Sequence, residues 1–157
     1  MKNIGVIFLS AMMMLATSCQ NPVNTDVEKS SIETVLDRYI FSLEQENLDI
    51  YDNILVHNED MVNFGTSANE RIVGWKVLRA AVEVQNATLS ETKITQTDVS
   101  INLTKDGSYA WATSIWHFKA VSKDQVIDVP IRCSWVLQKF GDDWKIVHFH
   151  KSIGALI

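Results

Sequence analysis

The stretch Arg132-Cys-Ser-Trp-Val-Leu-Gln-Lys-Phe-Gly-Asp-Asp-Trp-Lys-Ile-Val-His-Phe-His-Lys-Ser152 holds two β-type runs on either side of a short polar connection, Phe140-Gly141-Asp142-Asp143. That pattern is a hairpin. Working outward, the same grammar recurs upstream. Lys93 to Leu103, Tyr109 to Val121, Gln125 to Lys139 and Trp144 to Ser152 read as four long strands, joined at Lys105-Asp106-Gly107 and Ser122-Lys123-Asp124. Long strands linked by hairpins predict an antiparallel, strongly curved sheet. In the third of these runs the odd positions, Ile127, Val129, Ile131, Cys133, Trp135 and Leu137, are uniformly apolar. The even positions, including Asp128 and Arg132, are mixed. One face therefore packs on a core, and the other meets a wet cavity or a second subunit.

Ahead of the strands the period changes to that of a helix. Ile32, Val35, Leu36, Tyr39, Ile40 and Leu43 share one face, and Ser30 with Glu33 has the spacing of a capping box. That helix is expected to run from Ser30 to about Asn47. A short helix over Asp49 to Val56, a strand at Met61 to Gly65, a short strand at Ile72 to Gly74 and a third helix with Trp75, Leu78 and Val82 buried complete the series. Helices first and a long meander second predict an α+β fold.

The 157 residues, 46% hydrophobic with 2 Pro, make one domain and exclude a disordered chain. The net charge of −5 comes without a basic run, so no nucleic-acid footprint is present. Residues 1–18 read as an export signal: Lys2, an apolar core from Ile4 to Leu15, then Ala16-Thr17-Ser18. The following Cys19 completes a run that resembles the bacterial lipoprotein box. The resemblance implies lipidation of Cys19, an exported protein held at the periplasmic side by its lipid alone, and, with Gln20 next, outer-membrane sorting. Residues 19–29 then read as lipidated cysteine and tether, and 30–157 as the domain. With only Cys133 remaining, the mature chain has no disulfide framework.

The pattern of Arg132, the Val136-Leu137 pair, the glycine turn, Trp144 and His148-x-His150-x-Ser152 resembles the SnoaL-like branch of the nuclear transport factor 2 superfamily. It is also similar to the association domain of calcium/calmodulin-dependent kinase II. The likeness spans about residues 30 to 153. It implies a cone of curved antiparallel sheet around a long helix, dimerising through the sheet. The superfamily includes ketosteroid-isomerase-like enzymes, cyclases, dehydratases and non-enzymatic binding or assembly domains, so the fold leaves function open. The kinase likeness further implies an anion-accepting pocket. Its two arginine positions fall here on Trp135 and Lys151, whose parity is opposite to that of Arg132, His148 and His150.

His148 and His150 stand two apart and so share a face. They are structural histidines hydrogen-bonded with Ser152, members of a ligand or catalytic cavity with Arg132, or metal ligands. A zinc site wants three or four ligands, and no companion cluster is visible. Arg132 must find a carboxylate, a carbonyl or a ligand anion. Tyr39 is a candidate hydrogen-bond donor, and Asp98 or Asp128 a base only if its strand turns that residue inward. No complete acid–base set emerges, so His148 and His150 are the only catalytic candidates. The favoured reading is a binding module for a small anionic or aromatic ligand. Arg132, His148, His150, Tyr39, Trp116, Trp135 and Lys151 are its candidate contacts, with no metal and no cofactor expected. An isomerase-, cyclase- or dehydratase-type enzyme and a purely oligomerising domain are the alternatives.

Overall fold

The structure, a computed structural model, describes residues Val23 to Gly154. The expected signal sequence and Cys19 lie outside the described residues. The elements run α1 (Thr25–Glu44), α2 (Leu48–Ile54), β1 (Val62–Phe64), β2 (Arg71–Val73), α3 (Trp75–Thr88), β3 (Ser90–Leu103), β4 (Tyr109–Ser122), β5 (Gln125–Phe140) and β6 (Asp143–Ser152). Helices precede the meander, as the α+β reading expects.

The first helix starts at Thr25, not Ser30, so residues 25–29, read as tether, form its first turn. Asn24 is the cap: its side-chain oxygen accepts from the Val27 N–H at 3.4 Å. Ser31 and Thr34 donate back to the carbonyls of Val27 and Ser30, as hydroxyls inside a helix do. The helix stops at a left-handed Glu46 (φ 53°), and Asn47 then caps α2 through the Ile50 N–H. Ile32, Val35, Leu36, Tyr39 and Leu43 form the buried face.

Six strands form one sheet in the order β2-β1-β6-β5-β4-β3. The sheet is mixed, where a wholly antiparallel one was expected: β1 runs parallel to β6, with Phe64 opposite His150. The β1–β2 hairpin precedes the meander and covers the outer edge of the last strand, together with Leu55, which bridges Ile146. An edge left bare would template association.

Irregularities curve the sheet. Register shifts break β3 between Ser90 and Lys93 and between Thr97 and Ser100, with Glu91 and Asp98 at φ 53°. A third shift matters most for the site. Val136 pairs with His148 but Leu137 pairs with Ile146, so Val147 is an extra residue in β6. The inner face of the sheet carries Ala110, Ala112 and Trp116 of β4, Ile131, Cys133, Trp135 and Leu137 of β5, and Trp144, Ile146 and Phe149 of β6, all buried in one core shared with the helices.

Candidate functional site

Tyr39 stands at the middle of α1 among aromatic rings. Its centroid lies 5.3 Å from Tyr51, 6.0 Å from Trp116, 4.9 Å from Trp135 and 5.9 Å from Phe149. Trp116 is held in place by its indole N–H, which donates to Gln96 Oε1 at 3.0 Å. Asn63 of β1 accepts from the Phe149 backbone N–H at 2.8 Å, fixing β6 beside the cluster. Two polar atoms within it, the Tyr51 hydroxyl and the Trp135 indole nitrogen, are buried and have no partner among the described residues.

Lys151 enters this aromatic cluster from β6. Its Nζ donates to Tyr39 Oη at 3.0 Å and sits 4.8 Å, 4.8 Å and 4.9 Å from the ring centroids of Tyr39, Trp116 and Phe149. No carboxylate of the described residues lies within ion-pair distance of it. Burial drives the amine down to about 8, against the opposing pull of Cys133 and Glu70. Cys133 is itself pushed up to about 11 by burial and remains a thiol at neutral pH.

Two adjoining hollows open beside this amine. One, of about 350 Å³, lies between α3 and β6 and reaches Tyr39, Glu70 and Phe149. The other, of about 280 Å³, lies against β4 and β5 and is walled by Trp116, Phe118, Val129 and Ile131. Lys151, Leu43, Thr66, Gln85 and Leu89 line both, so they form one two-lobed cleft at the mouth of the cone. Among the described residues, Lys151 is the only charged side chain on the second lobe. Glu70, the other charge on the first, accepts from the Ser67 N–H at 2.9 Å. A larger, more open groove of about 600 Å³ runs past Leu55, Met61 and Phe140, but its amine, Lys145, is already donated to the Asn53 carbonyl.

The sequence-derived candidates separate into two groups. Tyr39, Trp116, Trp135 and Lys151 meet inside the cone. Arg132, His148 and His150 do not: they lie on the other face of the sheet. Arg132 is exposed between Ile115 and Ser152, with no carboxylate partner among the described residues. His148 bonds through Nδ1 to the Val62 carbonyl at 2.6 Å, not to Ser152, and His150 is exposed beside the Phe64 ring at 5.7 Å. The structure thus keeps all three out of the cluster: Arg132 by the plain alternation of β5, in which Ile131, Cys133 and Trp135 are the buried residues, and the two histidines by the Val147 bulge. Trp144 and Ile146 point inward, and simple alternation would carry His148 and His150 in after them. The extra residue turns Phe149 and Lys151 inward instead. The two acids face outward as well: Asp98 is exposed at a bulge, and Asp128 pairs with Lys119 at 3.2 Å and with His117. Thr66 and Glu70 of the cleft were not singled out from sequence, because they sit on a loop without periodic signal, whereas Gln85 follows the Trp75, Leu78 and Val82 stripe of α3.

Residues 32–155 match the model of the SnoaL-like domain family. The chain belongs to that family. Solved structures agree on the fold. A nuclear transport factor 2-like superfamily protein from Salmonella enterica superimposes with a TM-score of 0.75 at 23% identity, over 83% of this chain and 94% of the other. A candidate dehydratase of the same family from Streptomyces avermitilis gives 0.76 at 13% identity, over 84% and 99%. A candidate calcium/calmodulin-dependent protein kinase II association domain from Xanthomonas campestris gives 0.70 at 19% identity, over 87% and 95%. At such identities the likeness extends to the fold and no further. No curated protein matches the chain. In this SnoaL-like domain aromatic rings surround the lysine of the cleft.

Proposed function

We propose that this SnoaL-like domain is a binding module for a small anionic ligand with an aromatic or aliphatic body, held in the two-lobed cleft over Lys151. The observation that carries the reading is Lys151, half-buried with its amine among three rings, without a carboxylate partner among the described residues, and lining both lobes of the cleft. A charge so placed is incompletely satisfied by Tyr39 alone, and a carboxylate or similar head would complete it. The apolar walls suit the body of such a ligand. An enzyme built on a cavity histidine finds no support here, because both candidate histidines lie outside the cleft. The test is titration with aromatic carboxylates such as benzoate, read by the fluorescence of Trp116 and Trp135. Saturable quenching is expected, with affinity at least about tenfold lower in Lys151→Met, the worth of one charge-assisted hydrogen bond. No saturable change with any carboxylate, or equal affinity in the variant, overturns the reading.

The proposal extends to the setting. Cys19 anchors the exported protein by lipid, and the outer sheet face joins two copies. Trp111 and Tyr109, 48% and 42% exposed, lie on that face with Arg132 and support an interface there. Fatty-acid labelling lost in Cys19→Ser tests the anchor. Sedimentation tests the dimer, which Trp111→Asp is expected to split; a wild-type monomer at micromolar concentration rules the dimer out.

A further inference from the structure

We infer that Lys151 captures small aldehydes or ketones, forming a reversible imine with a carbonyl compound whose apolar body occupies the cleft. The inference rests on the cleft being a ligand site, and it adds a covalent step and a second substrate class. Three features of the geometry carry it. First, the Lys151 side chain lines both lobes, so a carbonyl compound in either one lies beside it. Second, the groups around the amine hold no carboxylate within ion-pair range. Tyr39 faces it from α1 at 3.0 Å, Cys133 from β5 as a thiol and Trp116 from β4; Glu70, in the loop before β2, is engaged by Ser67. Third, the walls of Trp116, Phe118 and Ile131 are apolar and limit the water that would hydrolyse an imine.

Burial supports the chemistry. At pH 8 about half of an amine titrating near 8 is neutral, against under about 1% of an ordinary lysine. A desolvated lysine is the usual nucleophile toward carbonyls. The neutral Nζ lone pair attacks the carbonyl carbon and the C=O π pair moves to oxygen. The Tyr39 hydroxyl, kept protonated by burial, lies close enough to relay a proton to that oxygen. The nitrogen returns its extra proton to Tyr39, which hands it on to the new hydroxyl; the C–O bond breaks, one water leaves as C=N forms, and a proton from solvent restores the Tyr39 hydroxyl. Nothing is oxidised or reduced. The protonated imine is again a cation over the rings of Tyr39, Trp116 and Phe149. The same side chain thus serves an anion as its ammonium and a carbonyl as its free amine.

The test is reductive trapping of the purified protein with benzaldehyde and cyanoborohydride at pH 8, followed by peptide mapping. One benzyl group on Lys151 is expected, formed at least about tenfold faster than on the exposed Lys76, as the larger neutral fraction requires. Benzoate should slow it. Lys151→Arg should lose the trapped adduct, since a guanidinium forms no imine. Labelling spread over surface lysines with Lys151 unmodified overturns the inference, and because the wild-type map decides this, a misfolded variant cannot obscure it. If benzoate still quenches in that case, the ligand reading stands without the covalent step. If neither compound perturbs the tryptophans, both fall.

Discussion

Lys151 Nζ and Tyr39 Oη meet at 3.0 Å, joining the C-terminal end of β6 to α1 among the rings of Trp135 and Phe149. The contact only partly offsets the cost of burying an ammonium, which is why the amine titrates near 8 instead of at its ordinary 10.5. The sign for stability follows. Between these two values the unfolded chain holds the proton and the folded one does not, so stability rises with pH through that window and is lowest below it. Urea unfolding of the wild type should give a free energy higher at pH 9.5 than at pH 7 by roughly 1–2 kcal/mol, after allowance for partial solvent access. Lys151→Met should flatten this rise. A wild type whose stability falls over the window would show that the amine is not desolvated.

Binding should move the other way. A carboxylate needs the ammonium, so affinity for benzoate is expected to be highest below pH 8 and to fall as Lys151 loses its proton. Each pH unit above that value should weaken binding by about tenfold until another contact takes over. Calorimetry at pH 6.5 and 9.5 in two buffers of different ionisation enthalpy checks both the trend and the proton taken up on binding.

The meander, the three helices and the aromatic character of the interior are all legible in the residues, because periodicity reports which face is buried. What periodicity does not report is a change of phase. Counted from Trp144 and Ile146, plain alternation would bring in His148 and His150, whereas the residues alone leave open which face lines the cavity. One unpaired residue, Val147, reverses the assignment and brings Lys151 in. The likeness to the kinase association domain did point to Trp135 and Lys151, against the polarity of the residues. The parallel β1–β6 pairing was equally hidden, since it depends on where a distant hairpin docks and leaves no local mark.

Glu28 illustrates the same limit at the other end of the chain. It lies in a stretch whose composition reads as tether, yet it is 15% exposed and holds two distant partners: Lys139 Nζ at 2.5 Å and the Trp144 indole N–H at 2.7 Å. The hydrogen bond from Lys139 holds its carboxyl below the usual range, with Trp144 assisting against the cost of burial. This clamp fastens the first turn of α1 to the β5–β6 hairpin. Glu28→Ala should lower stability at pH 7 by about 1–3 kcal/mol, since it leaves two donors unpaired. The gap should close as pH falls through the depressed pKa of Glu28, where the wild type also loses its charge. Thermal unfolding at pH 7 and pH 3 measures it, and an unchanged melting temperature at pH 7 would show that α1 frays at this end.

Gly74 controls how α3 meets the sheet and therefore the outer wall of the cleft. It is the residue before α3, at φ 88°, a conformation that costs a side chain of L configuration. A Cβ there would also lie 2.9 Å from a Glu59 carboxylate oxygen and 3.1 Å from the Glu59 carbonyl. The side-chain oxygen can swing away; the carbonyl oxygen belongs to the backbone. The Gly74 N–H donates to the Met61 carbonyl at 2.8 Å, and Trp75 N–H to Asn58 at 3.1 Å, so the turn has little freedom to relax. Gly74→Ala should therefore cost about 1–3 kcal/mol through strain alone. Because α3 supplies Leu78, Val82 and Gln85 to the first lobe, the same change should weaken ligand binding there while leaving the Lys151–Tyr39 contact in place. Chemical denaturation together with benzoate titration separates the two effects. A variant as stable as wild type would mean that the left-handed backbone at this position is not required to start α3.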